Sequence, residues 1–322
     1  MRHLAVWLSG LLTFEQAASV LEKVGQVALS DSTAWRQAQA AGAQALAVEA
    51  TQRAAATALP EREQIMPGES VTETRMAAAL DGGMIHIRQE GWKELKVGGV
   101  GEIELQPSRD PVTGDRLELA HTVRNTYVAH LGGPEIFGQL LWAEAHARGW
   151  SRAWASALLG DGAKWIWNLA KDHFYTSVQI VDWYHALLHL WCVANLLHGE
   201  GTPAAKHWLK THETLLFEGH ADRLADIILA SAKSHRRLAA ELRTQAHYFR
   251  ENVRRMQYLE QRENDYPIGS GVAESGCKQF RTRFVGSGMR WSRTGAEHML
   301  PIRAAIMSNR FDTFWKGLQL AH

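Results

Sequence analysis

The feature that most constrains this chain is a change of period. Between Met76 and His130 the pattern is extended in three successive segments: Met76 to Ile87, Trp92 to Leu105 with several glycines, and Arg116 to His130 with Val123, Tyr127 and Val128. Short connections between them predict an antiparallel meander. Helical spacing follows over Glu135 to Arg148, then a short apolar run Ala155 to Gly160, helical spacing over Lys164 to Asp172, and a last strand over Ser177 to Val181. A meander followed by a βαβ rhythm predicts an α/β layered domain with a mixed five-stranded sheet flanked by helices. From Trp183 to about Gln261 the chain reads almost wholly as helix, and 264–322 as a further helical part of the same core.

Ahead of the sheet, Phe14, Ala17, Val20, Leu21 and Val24 recur at three and four, the spacing of a helix with one buried face. Ser30-Asp31-Ser32 offers capping oxygens for a second helix, Thr33 to Ala41, which Gly42 is expected to end. A third helix is expected over Ala43 to Ala58, with a linker at Pro60 to Ser70. Residues 1–60 thus form a small helical region with the outline of a helix-turn-helix DNA reader. A generic helical hairpin fits the same pattern. The segment Leu4 to Leu12 resembles a short signal sequence but is interrupted by Trp7, Ser9 and Gly10, and no run of 18 apolar residues suggests a membrane span.

Composition sets outer limits. Of 322 residues 46% are hydrophobic, enough for a sizeable core, and 21% are charged with 27 Gly and 8 Pro, so no part reads as low-complexity. A formal net charge of +1 excludes a polycation, so that any nucleic-acid contact rests on local basic surfaces. Two cysteines, Cys192 and Cys277, lie far apart without a CxxC partner, which argues against a disulfide framework and predicts a reducing, cytosolic setting.

Chemistry concentrates at three carboxylates. Asp81-Gly82-Gly83 follows the apolar run from Met76 to Leu80, and Gly160-Asp161-Gly162 follows Ala157-Leu158-Leu159. Each aspartate alone is explained by a turn or a helix cap. Together they set two carboxylates at strand ends of one sheet. Phosphodiester chemistry with two Mg²⁺ ions needs such hard oxygen ligands, and a third is available in Glu274, where the glycine-rich stretch Pro267 to Gly271 leads into a helix. Lys278, Arg281, Arg283, Arg290 and Arg293 then interleave with Phe280, Phe284 and Trp291 without an acidic residue, a pattern suited to phosphate contact and base stacking. A solvated helix face with core aromatics is the plainer reading. Arg236, Arg237, Arg243, Arg250, Arg254 and Arg255 are weaker candidates because they are mixed with glutamates that could pair with them on helices. His185 and His189 have the spacing of half a zinc site, without further ligands nearby.

Several segments taken together resemble the ISKra-type insertion-sequence transposases, a bacterial group similar to the Mutator-like transposases. They are Phe14 to Ala18 with Thr33 to Trp35, Asp81-Gly82 with Glu90 to Gly98, Tyr127 to Leu131, Gly160 to Trp167, Val181 to His185, Tyr266 to Gly271 with Glu274, and Gly286 to Trp291. The resemblance implies an RNase H-like core (75–182 and 264–322), interrupted by a helical insertion at 183–263. It implies a DDE triad at Asp81, Asp161 and Glu274 binding Mg²⁺ or Mn²⁺, and DNA cleavage with strand transfer. It further implies DNA as partner, a homodimer or higher oligomer on that DNA, and a place at the bacterial nucleoid. Asp182-Trp-Tyr-His185 resembles a motif of an acidic residue or cysteine, two spacers and histidine, which assigns His185 to DNA contact or to orienting the site. Two alternatives share the pattern: a truncated or domesticated DNA-binding remnant without catalysis, and an RNase H-like structure-specific nuclease.

Overall fold

A computed structural model describes residues 1–58, 72–110, 112–286 and 289–320; the expected linker at 60–70 lies outside them. Three helices come first, α1 (Arg2–Leu11), α2 (Phe14–Lys23) and α3 (Asp31–Thr57). The strands β1 (Thr72–Ile87), β2 (Gly91–Arg109) and β3 (Arg116–His130) follow, then α4 (Pro134–Ala147), β4 (Ala153–Gly160), α5 (Lys164–His173) and β5 (Val178–Val181). The rest is helical: α6 (Trp183–His198), α7 (Pro203–Phe217), α8 (Ala221–Ser234), α9 (Ala239–Glu251) and α10 (Tyr258–Glu263). After a loop come α11 (Gly271–Phe284), α12 (Arg293–Met307) and α13 (Phe311–Leu320).

The five strands form one mixed sheet in the order β3-β2-β1-β4-β5. β1 to β3 are an antiparallel meander, while β4 lies parallel to β1 and β5 parallel to β4. Met76 to Leu80 of β1 are buried without alternation, because helices cover both faces of the sheet and leave no polar side. Glycines in β2 mark the two faces. Gly98 lies under Phe137 and Leu141 of α4, whereas a Cβ on the next residue, Gly99, would come within 2.4 Å of Val272 on α11. The α/β architecture therefore matches the period change read from the sequence, with β1 and β2 starting or ending a few residues beyond the expected limits.

The helices before the sheet differ from expectation at Gly42. α3 is one helix of 27 residues that runs through it. A Cβ at Gly42 would lie 1.9 Å from the backbone oxygen of His298 on α12, so the glycine permits close approach of two helices rather than ending one. Ala34, Ala38, Ala41 and Ala45 continue the buried stripe. α2 starts at a capping box, with Thr13 accepting from the Gln16 N–H and the Gln16 side chain accepting from that of Thr13. α1, α3, α12 and α13 share a second core, into which Val6, Ala38, Met299, Phe311 and Leu318 are packed. Among the described residues no helix is long and apolar enough to cross a membrane.

Candidate functional site

Asp81 and Asp161 are brought side by side by strand register. Ala79 of β1 pairs with Leu159 of β4 in parallel, so each chain reaches its aspartate two residues later at the same level. Asp81 also pairs across β2 with Val97, whose side chain lies against Gly276 of α11; this puts Asp81 on the α11 face. Its Oδ1 accepts the Gly82 N–H at 2.7 Å. Burial raises its pKa above the ordinary aspartate value, opposed by the Gly82 N–H, the Cys277 thiol and the charge of His185, and reinforced by the charge of Asp161. The Asp161 Oδ1 accepts the Ala163 N–H at 2.8 Å, a turn that leads into α5. Gly162 between them has φ +100°, and a Cβ there would lie 2.8 Å from the Tyr248 ring. Two reasons, backbone and space, thus require glycine.

Behind this pair stands a junction centred on Asp182, which is 2% exposed. Its N–H donates to the Gly160 carbonyl at 2.8 Å. Its carboxylate caps α6 through the His185 N–H at 2.8 Å, bonds His185 Nδ1 at 3.1 Å, and accepts the Ser270 N–H. Next to it, the Trp183 N–H donates to the Ile268 carbonyl at 2.8 Å. One buried residue therefore fastens the end of β4 through its N–H, and the start of α6 and the loop before α11 through its carboxylate. Burial alone would raise its pKa, but the bonds from His185 and Ser270 outweigh that and hold it below the usual range. The His185 pKa is raised, first by its bond to Asp182, against burial, and further by the charges of Asp182, Asp161 and Asp81. The neighbouring carboxylates thus favour the protonated form of this imidazole.

α9 closes the other side. The Tyr248 hydroxyl donates to the Asp161 carbonyl at 2.9 Å, and its ring stacks on His189 at 3.5 Å. Burial and the charges of Asp161 and Asp182 keep that phenol protonated. His189 Nδ1 bonds Gln245 at 2.7 Å, and burial lowers its pKa.

Glu274 sits in the first turn of α11, whose later residues reach the aspartates: the Cys277 thiol is against Asp81, and the Arg281 stem covers Gly83. Its own carboxylate is half-exposed and paired with Lys278 at 2.6 Å. Among the described residues no three His, Cys, Asp or Glu stand close enough to hold a metal ion. The structure brings Asp81, Asp161 and His185 together and leaves Glu274 on the adjoining helix, turned to Lys278.

The basic segment divides. Lys278, Arg281 and Arg290 are exposed. Arg293 is committed to Glu90 at 2.6 Å, to Glu297 at 3.3 Å and to the Leu131 carbonyl at 3.1 Å. Arg283 and Trp291 correct the expectation of DNA contact. Arg283 is 2% exposed, donates to the Ser9 carbonyl at 2.7 Å, and lies over both Phe14 and Trp291 at 4.9 Å. Burial lowers its pKa to about 10, with Arg303 adding repulsion. Trp291 is buried and donates to the Phe284 carbonyl at 3.1 Å. Alternating arginines and aromatics here fasten the terminal helices together.

Sequence reasoning missed Tyr248 and Cys277 and, although it singled out Asp182-Trp-Tyr-His185, missed the bonds that Asp182 makes to the loop before α11. Only Asp182 carried a local signal, an acidic residue three positions before a histidine at a helix start. No protein-family model matches the chain, and no similar curated protein was found.

Proposed function

We propose that this chain is the catalytic core of a DDE-type DNA transposase with an RNase H-like fold, of the ISKra type that its motifs resemble. The observation that carries the reading is the parallel register of β1 and β4, whose last pair, Ala79 with Leu159, sets Asp81 and Asp161 each two residues further along at one level. α11, bearing Glu274, lies across the same sheet face. The strand order β3-β2-β1-β4-β5 supports it, as does the run of helices α6 to α10 between β5 and α11, which we read as an insertion into the core.

The donor set fits Mg²⁺ or Mn²⁺. Two aspartates are hard oxygen ligands; burial chiefly, with a smaller part from the charge of Asp161, raises the Asp81 pKa, and a divalent cation would offset both. Asp81 and Asp161 would hold it, with Glu274 joining once released from Lys278. A bound divalent ion supplies activation of a water or 3′-hydroxyl and stabilisation of the departing oxygen. The chain's own groups do the rest. Asp182 orients His185 and favours its protonated form, which would offset the charge of an incoming phosphate. The Tyr248 hydroxyl fixes the turn that carries Asp161. Lys278, Arg281 and Arg290 meet the DNA backbone, and two copies of the chain act on two element ends.

The Glu274–Lys278 pair specifically favours a second reading, a DNA-binding remnant without catalysis. Strand transfer separates the readings. Purified protein given pre-cut element ends, a target plasmid and Mg²⁺ joins them under the proposal, and Asp81→Ala lowers joining by on the order of a thousandfold. Cleavage without joining indicates a nuclease, and binding without either indicates the remnant.

A further inference from the structure

The two faces of α9 differ in chemistry. The inner face belongs to the candidate site, through the Tyr248 bond to the Asp161 carbonyl and the Gln245 bond to His189, and Leu242, Ala246 and Phe249 are buried beside them. The outer face is basic. Arg243, His247 and Arg250 recur at four and three, which sets them in one row along the helix. Arg236 and Arg254 extend the row at its two ends, each in a short 3-10 turn. All five side chains are exposed. From Arg236 to Arg254 the row is about 27 Å long at a rise of about 1.5 Å per residue.

The protein itself does not answer these charges. Between Lys233 and Arg255 stand seven lysines and arginines against two glutamates, in a chain whose net charge is only +1. The ion pairs with glutamate that the sequence suggests do not form. Among the described residues, Arg250 is the one arginine of the row in an ion pair, with Asp226 at 2.5 Å, and both partners are exposed, where such a pair stabilises little. Arg255, by contrast, is committed inward, 4.4 Å over the Trp167 ring and donating to Gln179 at 2.8 Å. A solvated helix face ordinarily alternates in sign so that residues four apart attract. Here Arg250 and Arg254, four apart, repel. A row of like charges costs the fold self-repulsion, and it is complementary to a duplex backbone, which carries one negative charge per about 1.7 Å of its axis.

We infer that the outer face of α9 binds the backbone of duplex DNA, without reading its sequence, outside the stretch held at the aspartates. The choice of DNA as the polyanion rests on the transposase reading, and the test is independent of cleavage. Binding of about two helical turns of duplex is followed by fluorescence anisotropy in EDTA over a salt series. Arg243→Gln combined with Arg254→Gln lowers the slope of log K against log salt by about 1.8, since each phosphate contact contributes about 0.9, and weakens binding on the order of tenfold at about 0.1 M salt. Arg243→Lys combined with Arg254→Lys restores both, because the contact is one of charge. Lys171→Gln combined with Lys316→Gln removes the same charge from exposed positions elsewhere and leaves the slope as in wild type. A second duplex of unrelated sequence gives the same differences. A slope unchanged by the two Arg→Gln substitutions, or lowered equally by the two Lys→Gln substitutions, overturns the inference. If wild type nicks DNA in Mg²⁺, either result overturns the α9 surface and leaves the transposase reading standing; a slope lost with the arginines of a protein that never nicks does the reverse.

Discussion

Asp182 is the residue on which most of the site's geometry depends, since it joins β4, α6 and the loop before α11 from a buried position. Replacing it by Asn removes the charge that His185 and the Ser270 N–H meet, at a cost of about 3 kcal/mol at neutral pH, the range for breaking a buried charged network. The pH dependence has two sides. The Asp182 pKa is lowered on folding, so its contribution is present above its unfolded value of about 3.9 and is lost as pH falls through the lower folded value. The His185 pKa is raised, so its contribution is full below about 6.5 and is lost as pH rises through the higher folded value. Urea unfolding should therefore show the gap between wild type and Asp182→Asn widest between those limits and narrowing on either side. Asp81, raised by burial, loses its proton at higher pH than an ordinary aspartate. Mg²⁺ binding to the metal-free protein should accordingly weaken on acidification at higher pH than for an ordinary aspartate, which the metal dependence of the rate at several pH values reads. The cysteines give a check on burial. Cys192 is exposed and Cys277 is buried, with burial and Asp81 pushing the latter's pKa up. One thiol should react with a disulfide reagent in the native protein and the second only after unfolding.

Helices meet the sheet and one another through glycines, and those contacts make predictions of their own. In an ordinary helix Gly→Ala stabilises by about 0.5–1 kcal/mol. At Gly42 the sign reverses, because the new methyl would meet the His298 carbonyl at 1.9 Å. Thermal unfolding of Gly42→Ala should show a loss of about 1–3 kcal/mol, the cost of overpacking a close contact. A variant at or above wild-type stability would show that α3 and α12 do not pack this way. The continuity of α3 was not legible in the sequence for the same reason: a glycine with a flanking apolar pattern signals a stop locally, and only the distant partner helix shows that it is a contact. Strands were legible because their period is local. Arg116–His130 forms β3 with the expected limits, and β4 extends the apolar run before Asp161 by two residues.

Across the chain, the first and last helices share one core, and that sharing turned a candidate DNA-binding segment into packing. Arg283 and Trp291 have the composition of a phosphate-and-base contact, yet they lie between α1, α2 and α12. Composition does not distinguish an arginine stacked on core aromatics from one reaching for DNA, since both use the same planar contact. The aspartate pair was legible because each residue ends an apolar run and is followed by glycine. Tyr248 was not, because its contact with Asp161 joins segments far apart in the chain. The proposed function turns on metal-dependent cleavage at Asp81 and Asp161. Nicking of a DNA fragment carrying the sequence that flanks this gene should be followed in Mg²⁺ and in EDTA, with wild type and Asp161→Asn. The account predicts nicking by wild type in Mg²⁺ alone and its loss in the variant. Equal nicking by both proteins, or DNA binding without nicking by either, would contradict it.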